Sequence, residues 1–284
     1  VTPAKTDPSR TGSIRRAYEA EFMRRIDTVR RFVYRALVTQ DAIGLKSPAR
    51  HLQVRLPNPR QWATLPPNVR ARQFGQWLLN LVDDAVLQGQ DLVGPTGPGQ
   101  WMRTFIRRAY FHGVTTTTTS LRRMGREIAD QTAAQIMQSR FHRSRLESLY
   151  DRNLDELRGF TANMGTELKR IIADGLLRGT NPKTLASDIS KRLEITRNRA
   201  RTIARTEVIR ANSEATLSTF EQFGERDVQL DAEWVTAGDD RVCPLCEPNE
   251  GRIFPVDEAR GMIPLHPNCR CDWIPVQQEE RQVA

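Results

Sequence analysis

No stretch of this 284-residue sequence reaches the ~18 consecutive apolar residues of a membrane-spanning helix, which excludes a helical bilayer span. Aromatic residues are scarce, at 7% of the chain, so any core is expected to be mainly aliphatic. Cysteine is missing before Cys243, and the four present all lie between there and Cys271. A disulfide framework spreads its bridges along a small secreted chain, so this bunching points to metal ligands in a reducing compartment. The first residues, Val1 to Pro8, lack the apolar stretch of a secretory signal, and export by that route is not expected. Phosphate-binding loops, dinucleotide glycine fingerprints and the G-x-S-x-G elbow are absent as well. With 38% apolar and 27% charged residues, the chain is nevertheless apolar enough to fold.

Charge is present in excess but unevenly placed. Residues 1–150 carry 24 Lys and Arg against 11 Asp and Glu, whereas residues 201–284 carry 9 against 16. A basic front half and an acidic last third suggest a polyanion-facing surface near the N-terminus.

Apolar periodicity organises the chain into four regions. Residues 1–43 read as a long basic amphipathic helix, with Ile14, Tyr18, Phe22, Ile26, Val29, Val33 and Leu37 on one face. Arg15, Arg16, Arg24, Arg25, Arg30 and Arg31 fall largely off that stripe. They are candidates for polyanion contact, against the alternative of a solvated or protein-docking face. Residues 44–142 form a loop-rich helical region. Prolines between Gly44 and Asn68 break the pattern, helical spacing returns over 70–88, and Gly89–Gly99 reads as a loop. Helices are expected at 100–112 and 120–138, with Thr115–Thr119 as a linker between them. Residues 143–230 are a central helical region interrupted at Gly179-Thr-Asn-Pro182, after which a short helix and a second one capped by Thr196 are expected. Residues 231–284 change texture. Three short runs, beginning at Asp231, Gly251 and Cys271, are rich in β-branched and aromatic residues and read as strands around the cysteines. The fold class is therefore α+β: helical N-terminal and central regions with a small C-terminal β module.

That module holds the chemistry. Cys243-Pro-Leu-Cys246 is followed by His266-Pro-Asn-Cys269-Arg-Cys271. A C-x2-C turn can aim two thiolates at one ion, and a distant second pair completes a tetrahedron. Thiolate and imidazole favour zinc over harder cations. Five candidates (Cys243, Cys246, His266, Cys269 and Cys271) compete for four places, and spacing alone does not choose among them. Four protein ligands leave no open position, so the zinc would be structural, stapling a module too small to be stable alone. A zinc-containing DNA-binding protein and a metal-dependent nuclease are the competing readings. The second needs a general base and an oxygen-rich metal site, for which Glu233, Asp239, Asp240 and Asp272 are the available carboxylates.

The order of motifs also carries a resemblance. Ala204-Arg-Thr-Glu-Val-Ile-Arg-Ala211 leads into Glu233-Trp-Val-Thr-Ala-Gly-Asp-Asp-Arg-Val-Cys-Pro-Leu-Cys246, then Glu250-Gly-Arg-Ile-Phe254 and Ala259-Arg-Gly-Met-Ile-Pro-Leu-His-Pro-Asn-Cys-Arg-Cys271. Over roughly residues 143–276 this resembles the phage head morphogenesis family, the Mu F-like minor capsid proteins of tailed bacteriophages; the front half resembles them much more weakly. The resemblance implies a non-enzymatic virion protein that enters the procapsid in the host cytoplasm. It implies residence in the head interior or at the portal vertex, and partners among the portal and other head proteins. Non-specific contact with packaged DNA is a further implied partner; a membrane and a small-molecule substrate are not. Some relatives carry histidine in place of the second knuckle cysteine, which supports Cys246 as a ligand.

Overall fold

A computed structural model describes residues 7–39, 66–88, 100–126, 128, 131–224 and 230–277. Of the loops expected over 44–68 and 89–99, residues 44–65 and 89–99 lie outside the described residues, while Pro67 and Asn68 already belong to a helix. Seven helices and three strands are described. They are α1 (Gly12–Tyr34), α2 (Pro67–Asp83), α3 (Gln100–Arg123), α4 (Ala133–Met137), α5 (Arg140–Leu177) and α6 (Pro182–Gly224), followed by β1 (Leu230–Val235), β2 (Ile253–Pro255), α7 (Val256–Ala259) and β3 (Asp272–Gln277). Helices α1 and α2 each end in a wider π-helical turn. The architecture is thus mostly helical with a small C-terminal sheet. None of the described helices is long and apolar enough to cross a membrane.

Three helical expectations are corrected, among them the helix expected over 120–138: α3 ends at Arg123 and α4 covers only Ala133–Met137. The threonine run does not link two helices; it lies inside α3, which is continuous from Gln100 to Arg123. β-Branched residues are mediocre helix formers, yet here their hydroxyls turn back onto the helix. Thr115 donates to the Phe111 carbonyl at 2.8 Å, Thr116 to His112 at 2.9 Å and Thr118 to Val114 at 2.9 Å. The helix stops one turn later, at Gly125, whose φ of +80° suits glycine. Likewise Thr196 caps nothing. It sits within α6 and donates to the Arg192 carbonyl at 3.0 Å. The interruption near Gly179 is real: Gly179 adopts φ +65°, and Asn181 Oδ1 accepts the Lys183 N–H at 2.8 Å to open α6.

The chain forms two compact units. One comprises residues 20–100 and 154–201. Its core takes Phe22, Ile26, Val29 and Val33 from α1, Phe74, Leu78 and Val82 from α2, Phe160, Leu168 and Ile172 from α5, and Leu185, Ile189 and Leu193 from α6. Gly165 lies against Leu79, whose side chain a Cβ would meet at 2.2 Å and have to displace.

The other unit comprises residues 1–19, 101–153 and 202–284 and contains the sheet. Strand β1 is central, antiparallel to β2 on one side and β3 on the other, in the order β2-β1-β3. The register sets Trp234 opposite Trp273, and their rings meet edge-on at 5.2 Å. Phe254 closes on Trp273 at 5.8 Å. This aromatic cluster packs with Leu121 of α3 and Ile209, Leu217 and Phe220 of α6, and with Cys246, Cys269 and Cys271. Polar pins fix the sheet to α6: Trp273 Nε1 donates to Ser213 Oγ at 3.0 Å, and Asn212 Nδ2 to Asp272 Oδ1 at 3.1 Å. Arg260 spans Glu214 and Glu221 of the same helix. Helices α3 and α6 touch at Gly113, where a Cβ would fall 2.7 Å from the Asn212 carbonyl oxygen.

Candidate metal centre

The first half of the centre follows β1. Gly238, with φ +61°, turns the chain, and Asp239 then accepts the Arg241 backbone N–H at 3.1 Å. This delivers Cys243, whose carbonyl accepts N–H bonds from Cys246 and Glu247, both at 3.0 Å. The second half precedes β3. There the His266 carbonyl accepts the Cys269 N–H at 3.1 Å across Asn268, which adopts φ +63°. Asn268 is held against α6, its N–H on Thr206 Oγ1 at 3.2 Å and its amide on Thr202 Oγ1 at 3.3 Å.

All five sequence candidates converge, and all four cysteines are free thiols. His266 Nε2 lies 3.0 Å from Cys243 Sγ and 3.2 Å from Cys246 Sγ, while Cys246 Sγ lies 3.9 Å from Cys269 Sγ. Ligand bonds of 2.0–2.3 Å around one tetrahedral zinc require edges of about 3.5–3.8 Å, close to these separations. His266 Nδ1 sits 2.8 Å from the Pro267 carbonyl, which fixes the ring and leaves Nε2 for the sulfurs. Two overlapping triads result, Cys243–Cys246–His266 and Cys246–Cys269–Cys271, sharing Cys246. A cavity of about 40 Å³ lies beside them, bordered by Cys243, Cys246, His266 and Cys271. The cluster can hold a metal ion.

Crowded thiols interact strongly. A hydrogen bond from Cys271 draws the Cys269 thiol down to about 5. The same contact, with burial, holds the Cys271 thiol well above its ordinary value, and burial beside Cys269 pushes Cys246 up to about 12.

One element of the centre escaped the sequence reading. Arg270 pairs with both oxygens of Asp239, at 2.6 and 2.7 Å, tying the segment before the first turn to the segment after the second. Hydrogen bonds from Arg270 hold the Asp239 carboxyl well below the usual range. The signal was available: an Asp and an Arg flank the two motifs at their outer edges, but pairs so far apart in sequence are rarely readable.

The α1 arginines divide. Arg16, Arg24, Arg30 and Arg31 are exposed. Arg24 pairs with Glu21 at 2.8 Å, Arg30 with Asp27 at 3.4 Å, and the half-buried Arg15 with Asp7 at 2.6 Å. Arg25 departs from the expected open face. It is 4% exposed, paired with Glu21 at 2.8 Å and bonded to the Ala85 carbonyl at 3.1 Å.

Residues 166–274, which include both ligand turns, match the family model described as Phage Mu protein F like protein. No curated protein and no solved structure gives a match.

Proposed function

We propose that this chain, a phage head morphogenesis protein of the Mu F-like family by its residues 166–274, is a structural minor capsid protein that works at the portal vertex. The observation that carries this reading is that the matched region includes the whole ligand cluster together with its packing on α6. Its partners are the portal and neighbouring head proteins, it resides in the virion, and it performs no turnover. What supports the absence of turnover is that two of the four carboxylates a nuclease could draw on, Asp239 and Asp272, are engaged in the fold, as is Glu207 of α6. Asp239 is locked by Arg270, Asp272 accepts from Asn212, and Glu207 is buried beside Arg210 at 3.3 Å. The cluster's ion is a structural zinc. Bound there, it cross-links two segments of a sheet too small to be stable by burial alone. The exposed arginines of α1 contact packaged DNA non-specifically.

Locating the chain in intact heads by electron microscopy, with a density-visible tag, tests the reading. Density beside the portal is expected; a chain absent from the virion, or spread uniformly over the shell, overturns it. Magnesium-dependent DNA cleavage that a single carboxylate substitution abolishes would replace it with the nuclease reading.

A further inference from the structure

Five side chains compete for four positions around a tetrahedral ion, and the backbone separates them. The turns Cys243-Pro-Leu-Cys246 and His266-Pro-Asn-Cys269 are built alike. Each has proline second, and each closes with the fourth residue's N–H on the first residue's carbonyl, at 3.0 and 3.1 Å. Turns of this kind bring their first and fourth side chains toward one point. Nε2 of His266 meets Cys243 and Cys246 of the first turn, and Cys246 meets Cys269 of the second, so contacts run between the two turns. Cys271 belongs to neither turn. It leads directly into β3, 2% exposed, with its Sγ within 4.8 Å of those of Cys269 and Cys246.

We propose that the ion is held by Cys243, Cys246, Cys269 and His266 Nε2, and that Cys271 stands outside, its Sγ beside the Cys269 sulfur as an outer thiol. This rests on the metal reading above and names the ion's chemical class: a borderline-soft divalent cation that prefers tetrahedral sulfur and nitrogen, with zinc as the natural occupant. The outer thiol has a physical purpose. Three thiolates around a divalent ion leave a net negative charge in a buried site, and an S–H donor spreads that charge while orienting the ligand. Cys271 also borders the small cavity, which makes it the rival fourth ligand. Cys269 and Cys271 are therefore the pair to separate.

The experiment is cobalt titration of the reduced, metal-stripped full chain, read by visible and near-ultraviolet absorption. Wild type is expected to show tetrahedral d–d bands and a thiolate-to-cobalt charge-transfer band. Cys271→Ser, which keeps a donor, retains both bands. Cys271→Ala retains the band intensities but binds roughly 10- to 100-fold more weakly, as loss of an outer hydrogen bond to a ligand requires. Cys269→His keeps a ligand in place and loses about a third of the charge-transfer intensity, three thiolates becoming two. Far-ultraviolet circular dichroism of each variant separates a lost ligand from a lost fold. Cys271→Ser losing the intensity while Cys269→His keeps it would overturn the assignment in favour of Cys271. Equal loss in both folded variants overturns it too, since Cys271 would then also bind the ion. A wild-type chain that takes up neither cobalt nor zinc removes the metal reading itself, a distinct result.

Discussion

Asp239 and Arg270 stand 31 positions apart in the chain and meet through two hydrogen bonds of 2.6 and 2.7 Å, closing a ring around the candidate metal centre. The pair orients both ligand turns without touching an ion. Planar two-point geometry makes arginine hard to replace there. Arg270→Lys is expected to retain the fold and lower zinc affinity by roughly 10- to 100-fold, measured by chelator competition. Unchanged affinity would mean the turns hold themselves.

Gly113 marks the closest approach of α3 and α6. A methyl group there meets backbone at 2.7 Å, and a carbonyl oxygen cannot rotate away as a side chain can. Gly113→Ala should therefore destabilise the protein by about 1–3 kcal/mol, despite alanine's better helix propensity. Urea unfolding measures this, and a stabilised variant would show that the helices separate easily.

His142 gives stability a pH dependence. It is fully buried between Tyr110, whose hydroxyl lies 2.8 Å from Nδ1, and Gln222, whose Oε1 lies 2.7 Å from Nε2. Burial holds its pKa below the ordinary value. The unfolded chain consequently takes up a proton first, so this contribution is present above about pH 6.5 and is lost as pH falls below it. His142→Gln should flatten the stability profile between pH 7.5 and pH 5 relative to wild type. Parallel profiles for the two proteins would refute the assignment.

The arginines of α1 should behave as two classes. Replacing the exposed Arg16, Arg24, Arg30 and Arg31 by Gln is expected to leave stability nearly unchanged. If packaged DNA is the partner, it should also reduce the salt dependence of binding, whose slope is roughly −0.9 per neutralised phosphate. Arg25→Gln should do the reverse, costing about 1–3 kcal/mol by removing the buried guanidinium from Glu21 and from the Ala85 carbonyl, with little change in slope. An unaltered slope in the fourfold variant assigns the exposed arginines to solvent or protein.

Much of the fold was legible because it is local. The stripe from Ile14 to Leu37 is buried as its spacing requires, and the three strands match the runs that begin at Asp231, Gly251 and Cys271 to within a residue or two at their ends. Breaks were legible wherever glycine and proline forced them, as at Gly179 and Pro182. The threonine run was misleading because propensity argues against helix, while packing of Thr117 and Thr118, both 4% exposed, sits within α3's buried face. Arg25 was misleading for a related reason. Its helical position lies off the apolar stripe, but the carbonyl of Ala85, sixty residues away, comes to meet it.

The sequence by itself picked out the five side chains of the candidate centre, four thiols and one imidazole in two short motifs, a set that can hold a metal ion. It also determined the helical stripes and strand positions, which follow from periodicities of a few residues. Only the tertiary structure decided that Asp239 and Arg270 clamp the centre, that Asn268 docks on Thr202 and Thr206, and that Arg25 is internal. Each of these depends on contacts between segments from 31 to 66 residues apart. Spacing rules describe one element at a time. Which side chains meet across elements is set by how the buried faces pack, and that is a property of the folded chain as a whole.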